Sequence, residues 1–221
     1  RNVIPIGIPA ALNNVLMSVS NILLNNFIKE YGEPAVAALG IAMKVNMLIV
    51  FVQMGIGMGI QPLIGYSYGA KNIDRLRKTM KFTMLCTFIL GTVLTILYFL
   101  FTADIINIFN GEGDVQVTDY GVKILRGLML AGPFIGIMFI YNFAFQGMGK
   151  SIPSLVLSLG RQGLIFLPLL IVMSRLVGFN GIVYAQPTAD LVCVVLAAVM
   201  FAAVNSRLKK DPSFYPKEKR S

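Results

Sequence analysis

Apolar residues gather along this chain in long runs, at about 5–28, 35–64, 79–101, 120–147, 152–176 and 182–204. Each run supplies the roughly 20 residues a helix needs to cross about 30 Å of hydrocarbon. The pattern predicts an all-α, polytopic membrane protein with six transmembrane helices. Polar or glycine-bearing breaks at 29–34, 68–78, 102–114, 147–151 and 175–181 separate the runs. Residues 1–206 therefore read as one six-helix transmembrane unit, and 207–221 as a solvated basic tail. No repeat is visible inside the chain.

The second run is too long for a straight crossing. Continued to Tyr68 it reaches about 51 Å at 1.5 Å per residue, so a bend is expected at Gln61-Pro62. Pro133, Pro168 and Pro187 also fall inside runs, where a missing N–H leaves a carbonyl for a neighbour or water to satisfy. These prolines are either passive kinks or hinges of a bundle that moves. Small residues four apart (Gly55 and Gly59, Gly65 and Gly69, Gly132 and Gly136) predict close helix approach.

Polar side chains inside the runs are few and patterned. Asn14, Ser18, Asn21 and Asn25 are spaced along one face of the first helix. Asn46 and Gln53 share a face of the second helix, as Asn142 and Gln146 do of the fourth. Such groups are costly against lipid, so they are expected to face the bundle interior or a water-filled cavity. Two readings stand: hydrogen bonds between helices, or the polar lining of a pathway.

Composition narrows the chemistry. Of 221 residues 56% are hydrophobic and only 13% charged, about half the charge of an ordinary soluble domain. The absence of His removes Ser-His-Asp triads, HExxH metal sites and imidazole proton shuttles. Cys86 and Cys193 lie inside apolar runs and read as small hydrophobes, and no metal site is expected. The net charge of +9 would suggest nucleic acid in a soluble protein. Here thirteen of the 19 basic residues cluster on one side of the runs, in Arg1, the 71–81 loop, Lys150 and the tail. That asymmetry orients the chain with both ends in the cytoplasm and makes the bilayer, not nucleic acid, the partner.

Three charges are embedded: Lys44, Arg161 and Asp190. Counting residues from the helix ends puts Arg161 near the inner surface. Lys44 and Asp190 come out at a common, deeper level. Pairing of Lys44 with Asp190 is therefore expected, with Gln186 one turn from Asp190 on the same face. The pair is either structural or, Asp190 being the one carboxylate inside the apolar runs, a protonatable switch.

These residues also resemble a family. Pro9 to Asn14 with Asn25-Asn26-Phe27 is similar to the seventh helix of multidrug and toxic-compound extrusion (MATE) transporters. Gln61-Pro62-Leu63-Ile64-Gly65 through Tyr68-Gly69-Ala70-Lys71 resembles the eighth helix and its loop. Phe145 to Lys150, Arg161-Gln162 and Gln186 to Asp190 are similar to the later helices. The resemblance covers essentially the whole chain. It implies the C-terminal six-helix lobe of a twelve-helix antiporter in the plasma (inner) membrane, its other partner being an N-terminal lobe absent from this sequence. It also implies export of amphiphilic or cationic compounds, no cofactor, and a proton or sodium gradient as driving force. Some branches carry acidic cation ligands on the helices matching the first, second and fourth here. Those spans lack Asp and Glu, which implies a coupling carboxylate in the other lobe and an apolar, Met- and Phe-rich cavity wall in this one.

Three other functions compete. A flippase for lipid-linked saccharides, from the same superfamily, tends to have a strongly basic cavity, whereas only Lys44 and Arg161 are available. A membrane enzyme acting on lipid lacks His and paired carboxylates for acid–base work. An uncoupled channel or scaffold would require the chain to be self-sufficient as an oligomer.

Overall fold

In a computed structural model the backbone is described over residues 4–111 and 113–210, with side chains from 15 to 208 except 112. The described backbone is helical between short turns. Helix α1 is Ile4–Lys29, α2 Glu33–Gly69, α3 Ile73–Leu100, α4 Thr102–Phe109, α5 Val115–Met129 and α6 Gly132–Gly147. Then come α7 (Ser151–Leu159), a π-helical stretch Gly160–Leu164, α8 (Phe166–Val177) and α9 (Phe179–Lys210).

Grouped by continuity, these make the six expected segments. Glu33–Gly69, Ile73–Leu100, Ser151–Val177 and Phe179–Leu208 are each long and apolar enough to cross a bilayer, and α5 with α6 makes a fifth crossing bent by 47°. Helix α1, 26 residues long, spans about 39 Å and corresponds to the first apolar run. The chain is a multi-pass, all-α membrane protein.

Local chemistry sets the turns. Gly32 and Gly178 adopt φ of +96° and +62°, a region L side chains avoid, and so reverse the chain before α2 and α9. The Asn72 side chain accepts from the Arg75 N–H at 3.0 Å, and Asp114 accepts from Gln116 N–H at 2.8 Å, each satisfying an N-terminal donor its helix leaves free. The break at 102–114 contains a helix, α4, that the sequence reading takes as loop. Thr102 bonds back to the Tyr98 carbonyl and Ile106 is fully buried. Two contacts thus hold eight residues that periodicity is too short to reveal. Helix α9 also runs past the boundary expected at 206, to Lys210.

Packing is inside-out for water and right for lipid. Helices α2, α6 and α9 form the centre, with α3 against α2 and α6, and α8 against α9. Along α3, Phe82, Leu85, Ile89, Val93, Ile96 and Leu100 are exposed at intervals of three and four, a continuous apolar stripe suited to an apolar surrounding rather than water. The core divides into a cluster around Ile28, Leu39, Ile124 and Ile182, another around Ile64, Met80, Phe145 and Leu157, and a third around Met138, Phe143 and Cys193.

The prolines divide by outcome. Pro133 sits in the first turn of α6, at the bend. Its missing N–H frees the Met129 carbonyl, which accepts instead from the Thr95 hydroxyl at 3.3 Å. Pro168 lies in the first turn of α8, just after the π-helical stretch. Pro62 and Pro187 lie inside α2 and α9, which stay helical through them. At Gln61-Pro62, where a bend was expected, α2 stays helical through the proline and runs for 37 residues without a break. Gln61 serves contact instead: its carbonyl would lie 2.7 Å from a Cβ at Gly147, so α2 and α6 touch backbone to backbone. Of the expected glycine pairs, Gly132 and Gly136 pack closely against α3 and Gln53, whereas Gly55, Gly59 and Gly69 have open space beside them.

Candidate functional site

A cavity of about 550 Å³ opens among α1, α2, α5, α6, α7, the π-helical stretch and α9. Its walls are mostly soft and apolar. Met17, Met43, Met47, Met54 and Met138 line it, with Phe51, Phe139 and Phe143. Unbranched thioethers and flat rings can repack around differently shaped guests. Helix α3 contributes nothing, since it lies behind α2 and α6.

The polar lining is narrower and ordered. The Asn142 amide donates to Ser158 at 3.2 Å, and its oxygen accepts from the Ser154 hydroxyl and from Gln146 at 3.3 Å. Asn142 is thus held by three partners on α6 and α7. Asn46 lines the cavity from α2, and its side-chain oxygen is buried without a partner.

Opposite Asn46 lies the π-helical stretch Gly160–Leu164, one residue longer per turn than an α-helix. The Ile165 N–H reaches back to the Gly160 carbonyl at 2.9 Å. The mismatch leaves the Gln162 carbonyl available, and the Ser20 hydroxyl of α1 donates to it. The bulge swings Arg161 and Gln162 into the cavity wall. There Arg161 Nε donates to Asp190 Oδ1 at 2.8 Å, and the guanidinium lies 5.2 Å from the centre of the Phe139 ring. Gln186 donates to the same carboxylate oxygen at 3.3 Å. Asp190 itself is only 2% exposed.

This geometry corrects the expected Lys44–Asp190 pair. Lys44 is exposed, on the side of α2 away from Ala42, Val45 and Ile49, which are buried, whereas Asp190 faces Arg161. Counting depth along ideal helices misses this because the π-helical stretch changes the rotation and a long guanidinium side chain makes up the difference in level. Gln186 is where the spacing put it.

Of the expected lining residues, Asn21, Asn46, Asn142 and Gln146 line the cavity. Gln53 does not: it is fully buried behind it, donating to the Gly132 carbonyl at 2.9 Å across the α5–α6 bend. Asn25 is exposed and donates to the Asn21 carbonyl of its own helix at 2.9 Å. Ser18 is exposed and outside the lining, and the Asn14 side chain lies outside the described residues. Ser158 and Gln162 are new to the lining, and Ser20, behind it, bonds to the Gln162 carbonyl. Gln162 was flagged only through the family resemblance, and Ser158 only by its helical spacing from Ser154.

One measurement separates lining from packing. In full-length protein lacking Cys86 and Cys193, Asn21→Cys and Gln146→Cys are expected to react readily with a water-soluble maleimide. Gln53→Cys should stay unlabelled until the protein is denatured. Rapid labelling of position 53 in the folded state would place it on the cavity after all.

An outward apolar stripe and a polar-edged internal cavity define a helical membrane protein with room for a small molecule. The chain belongs to the MatE family, whose model matches residues 9–172. It is 28% identical over 211 residues to multidrug export protein MepA of Staphylococcus haemolyticus (strain JCSC1435), covering 96% of this chain and 46% of that protein. To MepA of Staphylococcus aureus (strain MSSA476) it is 27% identical over 208 residues, covering 94% of this chain and 45% of the relative. In fold it is similar to an outward-facing multidrug resistance MATE family transporter of the MOP superfamily, with TM-score 0.84, 20% identity, and 93% of this chain on 46% of that one. The bent form of the Vibrio cholerae MATE transporter VcmN gives TM-score 0.82 at 18% identity, with 94% of this chain on 46% of the other. The chain thus spans about half the length of the relatives it matches.

Proposed function

We propose that this chain forms the C-terminal half of a secondary active transporter that exports amphiphilic or cationic compounds in exchange for protons or sodium. A preceding six-helix lobe of the same protein is its partner, and both ends of the segment face the cytoplasm of the cell membrane. The observation carrying this reading is the 550 Å³ cavity with a methionine- and phenylalanine-rich wall, in a chain whose sequence relatives are named as multidrug export proteins. Rocking of one lobe against the other would expose the cavity to each side in turn.

The lining argues against a strongly basic flippase cavity, since Arg161 is its one charged residue among those described. It gives no support to a membrane enzyme either, because the described lining holds no pair of carboxylates.

The test is efflux of ethidium from cells making the full-length protein. Expressing cells are expected to retain several-fold less dye than controls. The difference should vanish when the proton gradient is collapsed or, in a separate arm, when sodium is withdrawn. Equal retention in expressing and control cells would refute drug export, and export surviving loss of both gradients would refute secondary coupling.

A further inference from the structure

The exposed stripe of α3 changes character along its length. From Phe82 to Leu100 it is apolar. Continued toward the start of the helix at the same spacing, that face carries Lys78 and Arg75, both exposed, and exposed Lys81 flanks it. Lys71, in the turn before α3, is exposed as well. Asp74 is the one acid among residues 70–81, and among the described residues no carboxylate pairs with any of these four cations. Arg75 is held in place: its guanidinium lies 5.7 Å from the centre of the Tyr66 ring, an exposed aromatic near the end of α2. Arg77 turns the other way and donates to Asn205 of α9 at 3.0 Å, which brings exposed Arg207 to the same end of the bundle.

We infer that the basic end of this stripe is a headgroup site for an anionic diacyl phospholipid. Its phosphate meets Arg75 and Lys78, and its acyl chains lie along Phe82, Leu85 and Ile89. The depth fits. Lys78 precedes Phe82 by about 6 Å along the helix, the thickness of one headgroup layer, so the cations reach phosphate level when Phe82 sits at the edge of the hydrocarbon. The charge fits as well. Four cations against one carboxylate attract a net negative lipid, whereas the choline or ammonium of a zwitterionic headgroup is repelled by the same groups. Tyr66 supplies the amphipathic ring favoured at that level. A soluble acidic partner would match the basic turns alone. A molecule with a charged head and apolar tails matches both parts of one helix face. The inference needs a chain that spans a membrane and does not need drug export, so either reading can fail without the other.

The test uses full-length protein in vesicles, with a tryptophan placed on the stripe by Phe82→Trp or, further along the same face, by Ile96→Trp. The fluorescence each adds over the parent protein is quenched by brominated lipids that touch it. At position 82 brominated phosphatidylglycerol should be preferred over brominated phosphatidylcholine about fivefold, the worth of one basic residue beside an anionic headgroup. Position 96 lies about 21 Å further along the helix, in the other leaflet, and should show no preference. Adding Arg75→Gln/Lys78→Gln, two exposed side chains outside the core, should bring position 82 down to the behaviour of position 96. Leu85→Trp, three residues on, is the second reporter should Phe82→Trp fold poorly. Equal quenching by the two lipids near the basic turns overturns the site. So does a preference that survives in the double variant, or one of the same size at position 96. Millimolar inorganic phosphate, compared with chloride at equal ionic strength, should leave the preference intact. Its loss there would assign the cations to free phosphate, and the lipid site would fall.

Discussion

Arg161→Gln on its own is expected to destabilise the folded protein by about 3–5 kcal/mol, the usual cost of stranding one member of a buried ion pair. Asp190 is 2% exposed, and its remaining described partner would be the Gln186 amide at 3.3 Å. Adding Asp190→Asn should recover most of the loss, because an amide and a carboxamide side by side carry no net charge into the membrane interior. Thermal unfolding of full-length protein in detergent should rank unaltered protein and double variant close together, with the single variant well below. If single and double variants unfold together, the pair contributes no coupling and Arg161 is held by Phe139 and packing alone. This is a statement about stability.

Gly181→Ala is the second large effect. A Cβ at Gly181 would lie 1.9 Å from the Met173 carbonyl oxygen, and that oxygen belongs to the backbone of α8, so no side-chain rotation relieves the clash. Helices α8 and α9 are joined through Gly178 alone, which leaves the hairpin little freedom to open. A loss of about 3 kcal/mol, at the upper end for overpacking, is expected, read as a reduced yield of monodisperse protein on gel filtration and a lower midpoint of unfolding. Gly69→Ala is the matched control. It is the last residue of α2, and nothing lies within 4 Å of its added carbon, so a change in stability well under about 1 kcal/mol is expected. Similar behaviour of the two variants would mean that α8 and α9 are looser than their backbone contact indicates.

How far the site was legible depends on which kind of signal each residue gives. Asn21, Asn46, Asn142 and Gln146 were readable because an amide inside an apolar run must find an interior or a cavity, and in these four cases the cavity is what it found. Gln53 obeys the same rule and still misses, because an amide can equally settle on a carbonyl, here that of Gly132 at the bend. Asn25 escapes by bonding within its own helix. The spacing of Gln186 and Asp190 survives because α9 stays helical through Pro187. The partner of Asp190 was not readable, since an inserted residue in Gly160–Leu164 leaves no mark in hydropathy yet rotates everything around it.

The number of crossings, the all-helical class and the inward turn of most polar groups follow from the sequence by itself. Run length and the cost of polar atoms in hydrocarbon leave few alternatives. Which proline breaks a helix, which amide faces guest and which faces carbonyl, and which cation meets Asp190 were decided only in the folded lobe. Those outcomes turn on angstrom-scale contacts between segments far apart in the chain, such as Thr95 with Met129, Ser20 with Gln162 and Arg161 with Asp190, and no local pattern encodes them.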